Sequence, residues 1–120
     1  MYDVLYIDPD HIVATSVTDY FATKGTKVTW AKTPQQALQL LETHTPRVVV
    51  IELALGEHGG LELLHEIKSY PEWQAVPVVV FSHQALHSYE ERLRRLGIIK
   101  VLYKPNTTLE SLYTQVIRSI

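Results

Sequence analysis

The stretch Val48-Val49-Val50-Ile51-Glu52 decides the fold, because four consecutive apolar residues end abruptly in a carboxylate. An unbroken run of this kind, rich in β-branched residues, is typical of a parallel strand that is buried on both faces. Two other apolar runs also end in a charge: Val4-Leu5-Tyr6-Ile7 before Asp8, and Val101-Leu102-Tyr103 before Lys104. We therefore expect one site built from three strand ends.

Amphipathic segments separate the apolar runs along the whole chain, which is the pattern of strands joined by crossover helices. We predict a helix after each of five strands, placed near residues 3–7, 27–31, 48–52, 76–81 and 99–103. Right-handed crossovers then give an α/β fold: a three-layer α/β/α sandwich around a five-stranded parallel sheet, in the flavodoxin-like order 2-1-3-4-5. That order makes Asp8 and Glu52 neighbours at the carboxyl edge of the sheet, where such folds bind ligands.

Short signals mark the predicted helix ends. Thr33-Pro34 places an N-cap residue before a proline, and Thr107-Thr108-Leu109-Glu110 is typical of a capping box that opens the last helix. Gly25 and Gly97 stand where helices should stop.

Length and composition favour one ordinary globular domain over residues 1–120. Apolar residues make up 46% of the chain and charged residues 20%, which argues against disorder. The net charge of -2 argues against direct contact with nucleic acid. The absence of cysteine excludes disulfides and thiolate metal sites. Because no apolar stretch approaches the ~20 residues of a membrane span and no signal peptide is evident, we expect a cytoplasmic protein.

Five motifs occur in order along the chain: Ile7-Asp8-Pro9-Asp10, Val50-Ile51-Glu52, Gly60-Leu61-Glu62-Leu63-Leu64, Val79-Val80-Phe81-Ser82 and Tyr103-Lys104-Pro105. With these motifs the sequence resembles a response-regulator receiver domain over essentially its whole length. The resemblance implies a role in two-component, or phosphorelay, signal transduction. In that family an aspartate at the end of the third strand accepts a phosphoryl group from a histidine kinase.

The resemblance assigns roles to individual residues. Asp8 matches the first residue of an acidic pair that holds magnesium, Ser82 matches a switch hydroxyl, and Lys104 matches a lysine that pairs with the phosphoryl group. Two positions depart from the family pattern. Glu52 stands where the phosphoaccepting aspartate belongs, and Pro9 stands where the second acidic residue belongs.

Physical chemistry indicates what these departures do. Magnesium needs near-octahedral oxygen coordination, and Pro9 removes one carboxylate from the site. Phosphoryl transfer depends on positioning and charge neutralisation, so a nucleophile one methylene too long should be poor. We expect no cofactor, with magnesium binding weak or absent. Asp10 completes the acidic pocket as a possible replacement ligand, although we favour it as the N-cap of the first helix. Asp8 is either a metal ligand or the partner of Lys104.

A glutamate at position 52 carries its charge part-way toward the place of a phosphoryl oxygen, and it should attract Lys104. Glu52 could therefore imitate a modified site, and both a locked, active-like state and an inert scaffold stay open. The resemblance implies a cis bond between Lys104 and Pro105. It also implies a switching aromatic residue where Val101 stands, and Tyr103 is offset from that position by two residues.

Tyrosines and basic residues gather late in the chain, in the predicted fourth helix, fifth strand and fifth helix: Tyr89, Arg92, Lys100, Tyr103 and Tyr113. We call these five residues the interaction face. The resemblance implies that they dock a protein partner, such as a histidine kinase or an output domain, or a second copy in a homodimer. Solvated helix surface is the alternative for any single residue.

Our interpretation is an atypical receiver that is not phosphorylated in the ordinary way, is not an enzyme and acts through protein contacts. An active receiver phosphorylated at an unusual site with magnesium is one alternative, and a flavodoxin-like module that binds a small ligand is another. His83 and His87 have the spacing of a helical metal pair, and His58 could lean over the cleft, but solvated loop histidines are the simpler expectation. An output domain after residue 120 is also left open.

Overall fold

The computed structural model describes residues 2–56, 59–84 and 87–120. Five parallel strands form one sheet in the order β2-β1-β3-β4-β5. The strands are β1 (Val4–Ile7), β2 (Val28–Ala31), β3 (Val48–Ile51), β4 (Val78–Ser82) and β5 (Lys100–Tyr103). The helices are α1 (His11–Thr23), α2 (Pro34–Thr43), α3 (Gly60–Ser69), α4 (Glu90–Arg95) and α5 (Leu109–Ser119). The predicted fold class and strand order are confirmed, and each strand lies within two residues of its predicted bounds.

The sheet is covered on both faces, which explains the unbroken apolar runs. Leu5 and Ile7 of β1 pack on the layer formed by α2, α3 and α4. Val4 and Tyr6 of the same strand point the other way, into a second core against α1 and α5. A strand that is buried on both faces has no polar side. The first charged residue after such a strand therefore lies just beyond its last residue, at the edge of the sheet.

The helix ends agree with the sequence signals except at the last helix. Thr33 caps α2, whose first residue is Pro34. The last helix is capped by Thr108, whose hydroxyl oxygen accepts the Ser111 N–H at 3.0 Å. The predicted capping box beginning at Thr107 is therefore wrong by one residue. The reason is that the Thr107 hydroxyl donates to the Tyr103 carbonyl at 2.7 Å instead.

The expected cis bond between Lys104 and Pro105 is also wrong, because the peptide bonds of the described residues are all trans. A trans X-Pro bond is intrinsically favoured by roughly 0.5–1 kcal/mol. A single 3₁₀ turn over Lys104–Asn106 follows β5 directly, and the long lysine side chain reaches the cleft from there without a cis bond.

None of the helices in the described part of the chain is long and apolar enough to cross a lipid bilayer.

Gly60 lets α3 begin directly against the loop that follows Glu52. Its N–H donates to the Leu53 carbonyl at 2.8 Å. A Cβ on Gly60 would lie 2.7 Å from the Leu53 Cα and 3.0 Å from the Glu52 carbonyl oxygen. Both are backbone atoms, so a side chain at position 60 would displace the segment that holds the Glu52 carboxylate.

We predict that Gly60→Ala lowers the free energy of unfolding by about 1–3 kcal/mol, the usual range for overpacking a tight contact. Gly59→Ala is the matched control, since a Cβ there meets nothing within 4 Å. Urea unfolding followed by circular dichroism measures both variants. Equal stability of the two variants would contradict the close approach.

Candidate functional site

The carboxyl ends of four neighbouring strands bring Asp8, Glu52, Ser82 and Lys104 into one cleft. Asp8 follows β1 and Glu52 follows β3, two strands that pair directly. Ser82 ends β4, and Lys104 follows β5. Asp8 and Glu52 are each only 1% exposed, and Ser82 is fully buried. The three predicted strand ends therefore meet, and the end of β4 lies between those of β3 and β5. The functional roles of these residues stay predictions.

The Lys104 ammonium bridges the two carboxylates. Its Nζ lies 2.7 Å from Asp8 Oδ2 and 3.0 Å from Glu52 Oε1, and the side chain is largely buried. Burial alone would lower the pKa of Lys104, but its hydrogen bonds and charge attraction to Asp8 and Glu52 outweigh burial and raise that pKa. Lys104 is thus held as a cation between two anions.

Glu52 accepts hydrogen bonds at both carboxylate oxygens. Oε2 accepts from the Ser82 hydroxyl and from the Ala54 N–H at 3.1 Å. Oε1 accepts from the His83 N–H at 3.1 Å, and it lies 2.6 Å from His83 Nδ1 as well as near Lys104. Burial raises the pKa of Glu52, but the bonds from Ser82, Ala54, Lys104 and His83 prevail and lower it to about 2. Glu52 is therefore ionised at neutral pH.

Asp8 is held by a separate set of donors. The Tyr6 hydroxyl donates to Asp8 Oδ2 at 2.7 Å, and the Asp10 N–H donates to Oδ1 at 2.9 Å. The Trp30 indole N–H donates to the Asp8 backbone carbonyl at 2.7 Å. Burial and the nearby charge of Asp8 raise the pKa of Tyr6, so the phenol stays protonated and donates.

The acidic pocket does not fit a magnesium ion. Each oxygen of Asp8 and Glu52 already accepts from at least one donor, and the Lys104 ammonium lies between the two carboxylates. Pro9 has no carboxylate to add. Asp10 is turned away as the N-cap of α1, where its Oδ1 accepts from Ile12 N–H at 2.9 Å. Within residues 2–56, 59–84 and 87–120, no three His, Cys, Asp or Glu residues form a metal-binding group.

His83 is a site residue that the sequence did not identify. We expected it to be a solvated loop histidine, yet its ring contacts Glu52. Its position directly after Ser82 was the one available signal. The histidine pair with His87 does not form a metal group in the described residues, and His58 lies outside those residues.

The five residues of the interaction face differ in exposure, and their role in docking stays a prediction. Tyr103 is 42% exposed, Arg92 is also exposed, and Lys100 is half-buried. Tyr113 is half-buried, and its ring packs edge-on against Phe21 of α1, with ring centres 5.0 Å apart. Its hydroxyl also lies 3.1 Å from Thr26 Oγ1. Tyr113 is thus directed toward α1. Tyr89 is half-buried against the core on the α2, α3 and α4 side.

The comparisons with known proteins agree on the fold and the family. The sequence matches the response regulator receiver domain over residues 4–116. It is 28% identical over 108 residues to an uncharacterized 14.6 kDa protein in the sodA1 3′ region of Leptolyngbya boryana, covering 90% of this chain and 82% of that protein. It is 24% identical over 102 residues to the polar-differentiation response regulator DivK of Brucella ovis, covering 85% of this chain and 83% of DivK.

Solved structures show the same architecture. The chemotaxis protein CheY4 of Vibrio cholerae superposes with a TM-score of 0.90 at 18% identity, covering 100% of this chain and 99% of that one. The Francisella response regulator 1452 receiver domain superposes with a TM-score of 0.85 at 24% identity, covering 98% and 95%. At 18% and 24% sequence identity, the similarity to these two structures shows the fold alone.

We predict that the stability contributed by Glu52 is lost in acid. Its pKa is about 2 in the folded chain and about 4.3 in an unfolded one. A carboxyl group whose pKa is lowered by folding stabilises the fold above the unfolded pKa, and this stabilisation disappears as pH falls through the folded pKa. The difference corresponds to about 3 kcal/mol.

Urea unfolding of the wild type and of Glu52→Gln between about pH 7 and about pH 3 measures the effect. The stability gap between the two proteins should be largest at neutral pH and should shrink below about pH 5. A gap that stays constant over this range would contradict a low pKa for Glu52.

Proposed function

The chain belongs to the response regulator receiver domain family, and we propose that it is an atypical receiver that is not phosphorylated on Glu52 and that acts through protein contacts. Receiver domains are modules of two-component signalling that work with histidine kinases and output domains. This chain keeps the fold and the lysine of the family, but its acceptor position is already occupied by hydrogen bonds. Its role is therefore to present a surface rather than to catalyse a reaction.

The proposal rests on the hydrogen bonds that both carboxylate oxygens of Glu52 already accept. A nucleophile needs a free lone pair aimed at phosphorus, and phosphoryl transfer needs a metal or other cation to neutralise the developing charge. Both oxygens of Glu52 accept hydrogen bonds instead. Hydrogen-bond donors already contact every carboxylate oxygen of Asp8 and Glu52, which supports weak or absent binding of magnesium.

The contacts of Ser82 and Lys104 favour the locked, active-like state over the inert scaffold. The family resemblance implies that these two groups turn toward a phosphoryl group. Here the Ser82 hydroxyl and the Lys104 ammonium both bond to Glu52, whose charge stands part-way toward that position. The glutamate holds permanently the contacts that a transient phosphoryl group would otherwise make.

Protein contact through α4 and β5 follows from what this side exposes. Tyr103 is 42% exposed and Ile99 is 80% exposed, with Arg92 on the adjoining helix. Exposed apolar and aromatic side chains together with an arginine are the residue types enriched in protein interfaces. We propose that a protein partner, or a second copy of the chain, docks there.

The two alternatives have less support. An active receiver with an unusual acceptor would need Glu52 to shed several donors before it could react. A flavodoxin-like ligand site would place a phosphate against Asp8-Pro9-Asp10, where two carboxylates would repel it.

We predict that acetyl phosphate with magnesium gives no acyl phosphate on Glu52. Intact-mass measurement under neutral conditions would detect the about 80 Da added by one phosphoryl group. An adduct that is labile in alkali and is lost in Glu52→Gln would refute the proposal. Glu52→Asp combined with Pro9→Asp is the positive control, because it restores a shorter nucleophile and a second carboxylate for magnesium. Each single variant should gain less than the pair.

We also predict that Glu52→Ala weakens self-association or partner binding by about tenfold or more, an effect of about 1.4 kcal/mol. The substitution frees Ser82 and Lys104 from their common anchor. Sedimentation velocity measures self-association, and Glu42→Ala is the control, because Glu42 is exposed on α2, which packs on β1 and β2 at the opposite edge of the sheet from β5. Unchanged association and binding in Glu52→Ala would leave the inert scaffold as the better description.

A further inference from the structure

His83 is fixed against Glu52 by two separate contacts. Its backbone N–H donates to Glu52 Oε1 at 3.1 Å, and its ring Nδ1 lies 2.6 Å from the same oxygen. The His83 side chain is nevertheless 61% exposed. The ring is thus held at one nitrogen by a buried carboxylate while most of it faces solvent.

The ionisation of Glu52 determines which ring nitrogen carries the proton. An ionised carboxylate accepts hydrogen bonds and has none to donate, so Nδ1 must be the donor. In a neutral imidazole the other nitrogen, Nε2, then carries a free lone pair. A carboxylate that orients Nδ1–H also stabilises the positive charge that develops on the ring when Nε2 attacks an electrophile.

We propose that His83 Nε2 is a modification site that accepts a phosphoryl group from small phosphoramidates or acyl phosphates. The Nε2 lone pair forms the new N–P bond. The P–N bond of a phosphoramidate breaks and its electron pair leaves with ammonia, or the P–O bond of an acyl phosphate breaks and its pair leaves with the carboxylate. The Nδ1 proton stays on the ring, so the positive charge of the product faces Glu52.

The contact with Glu52 separates His83 from the other described histidines. His44 instead places its Nε2 2.9 Å from the Tyr2 carbonyl. Within the part of the chain that the structure describes, His83 is the histidine whose ring meets a carboxylate. His87 is an exposed histidine only four residues away, which makes it a matched control for accessibility.

The modification goes beyond the proposed function and does not depend on it. In the proposed function no acyl phosphate forms on Glu52, whereas this modification is a phosphoramidate on His83. The two products differ chemically, because an acyl phosphate is destroyed by alkali while a phosphohistidine survives alkali and is destroyed by acid. Each proposal can therefore fail without the other.

Potassium phosphoramidate is the probe, used on the full chain near neutral pH with a chelator present. Mass measurement under neutral conditions should show one added phosphoryl group, about 80 Da, that resists alkali and disappears in mild acid. His83→Asn should abolish the adduct, and His87→Asn should keep it. His83 should react about 10- to 100-fold faster than free N-acetylhistidine, the rate effect expected from one hydrogen bond between a carboxylate and the charge that develops on the ring.

Three results would overturn the inference: no alkali-stable adduct, an adduct that persists in His83→Asn, or a rate equal to that of N-acetylhistidine. Circular dichroism of His83→Asn checks that the loss of the adduct does not come from unfolding. Because the side chain is mostly exposed, we expect this variant to fold.

Discussion

The Lys104 ammonium, held between Asp8 and Glu52, is the interaction on which the cleft depends. Two carboxylates that are each 1% exposed would repel one another and lose their hydration, at a cost of several kcal/mol per ion, without a cation between them. Lys104 arrives from β5, and its two partners follow β1 and β3. One side chain therefore ties together three strands, and its removal would leave two buried anions unpaired.

The sequence was sufficient for the fold and for most of the cleft. Apolar runs such as Val48–Ile51 could be predicted as buried strands because both faces of the sheet are covered, and parallel strands necessarily end at one edge. Asp8, Glu52 and Lys104 followed from that geometry alone. Asp10 could be predicted as an N-cap because its place before α1 is a local property.

What escaped prediction depends on side-chain direction rather than on pattern. His83 and Tyr6 join the site through single rotamers that no spacing reveals, and the Trp30 contact crosses from a neighbouring strand. The position of Tyr113 on α5 follows from the sequence, but the edge-on contact of its ring with Phe21 of α1 does not. The sequence predicts Thr107 rather than Thr108 as the N-cap of α5, because both residues carry a hydroxyl. The hydrogen bond from the Thr107 hydroxyl to the Tyr103 carbonyl decides between them, and the sequence does not show that bond.

The extra methylene of Glu52 is the physical basis of both departures that we propose from the ordinary receiver site, the absence of phosphorylation on Glu52 and weak or absent magnesium binding. An ionised carboxylate has about four lone-pair positions, whereas Glu52 has five donors around it: Ser82, Ala54 N–H, His83 N–H, His83 Nδ1 and Lys104. The longer side chain carries its own charge to where the donors converge, so no incoming group is needed to satisfy them. Once Lys104 neutralises one of the two carboxylates, a second cation is not required there, which makes Pro9 tolerable at a position where a magnesium site needs an acid. One negative charge is left over in the cleft, and the backbone N–H and ring Nδ1 of His83 both lie against the Glu52 carboxylate.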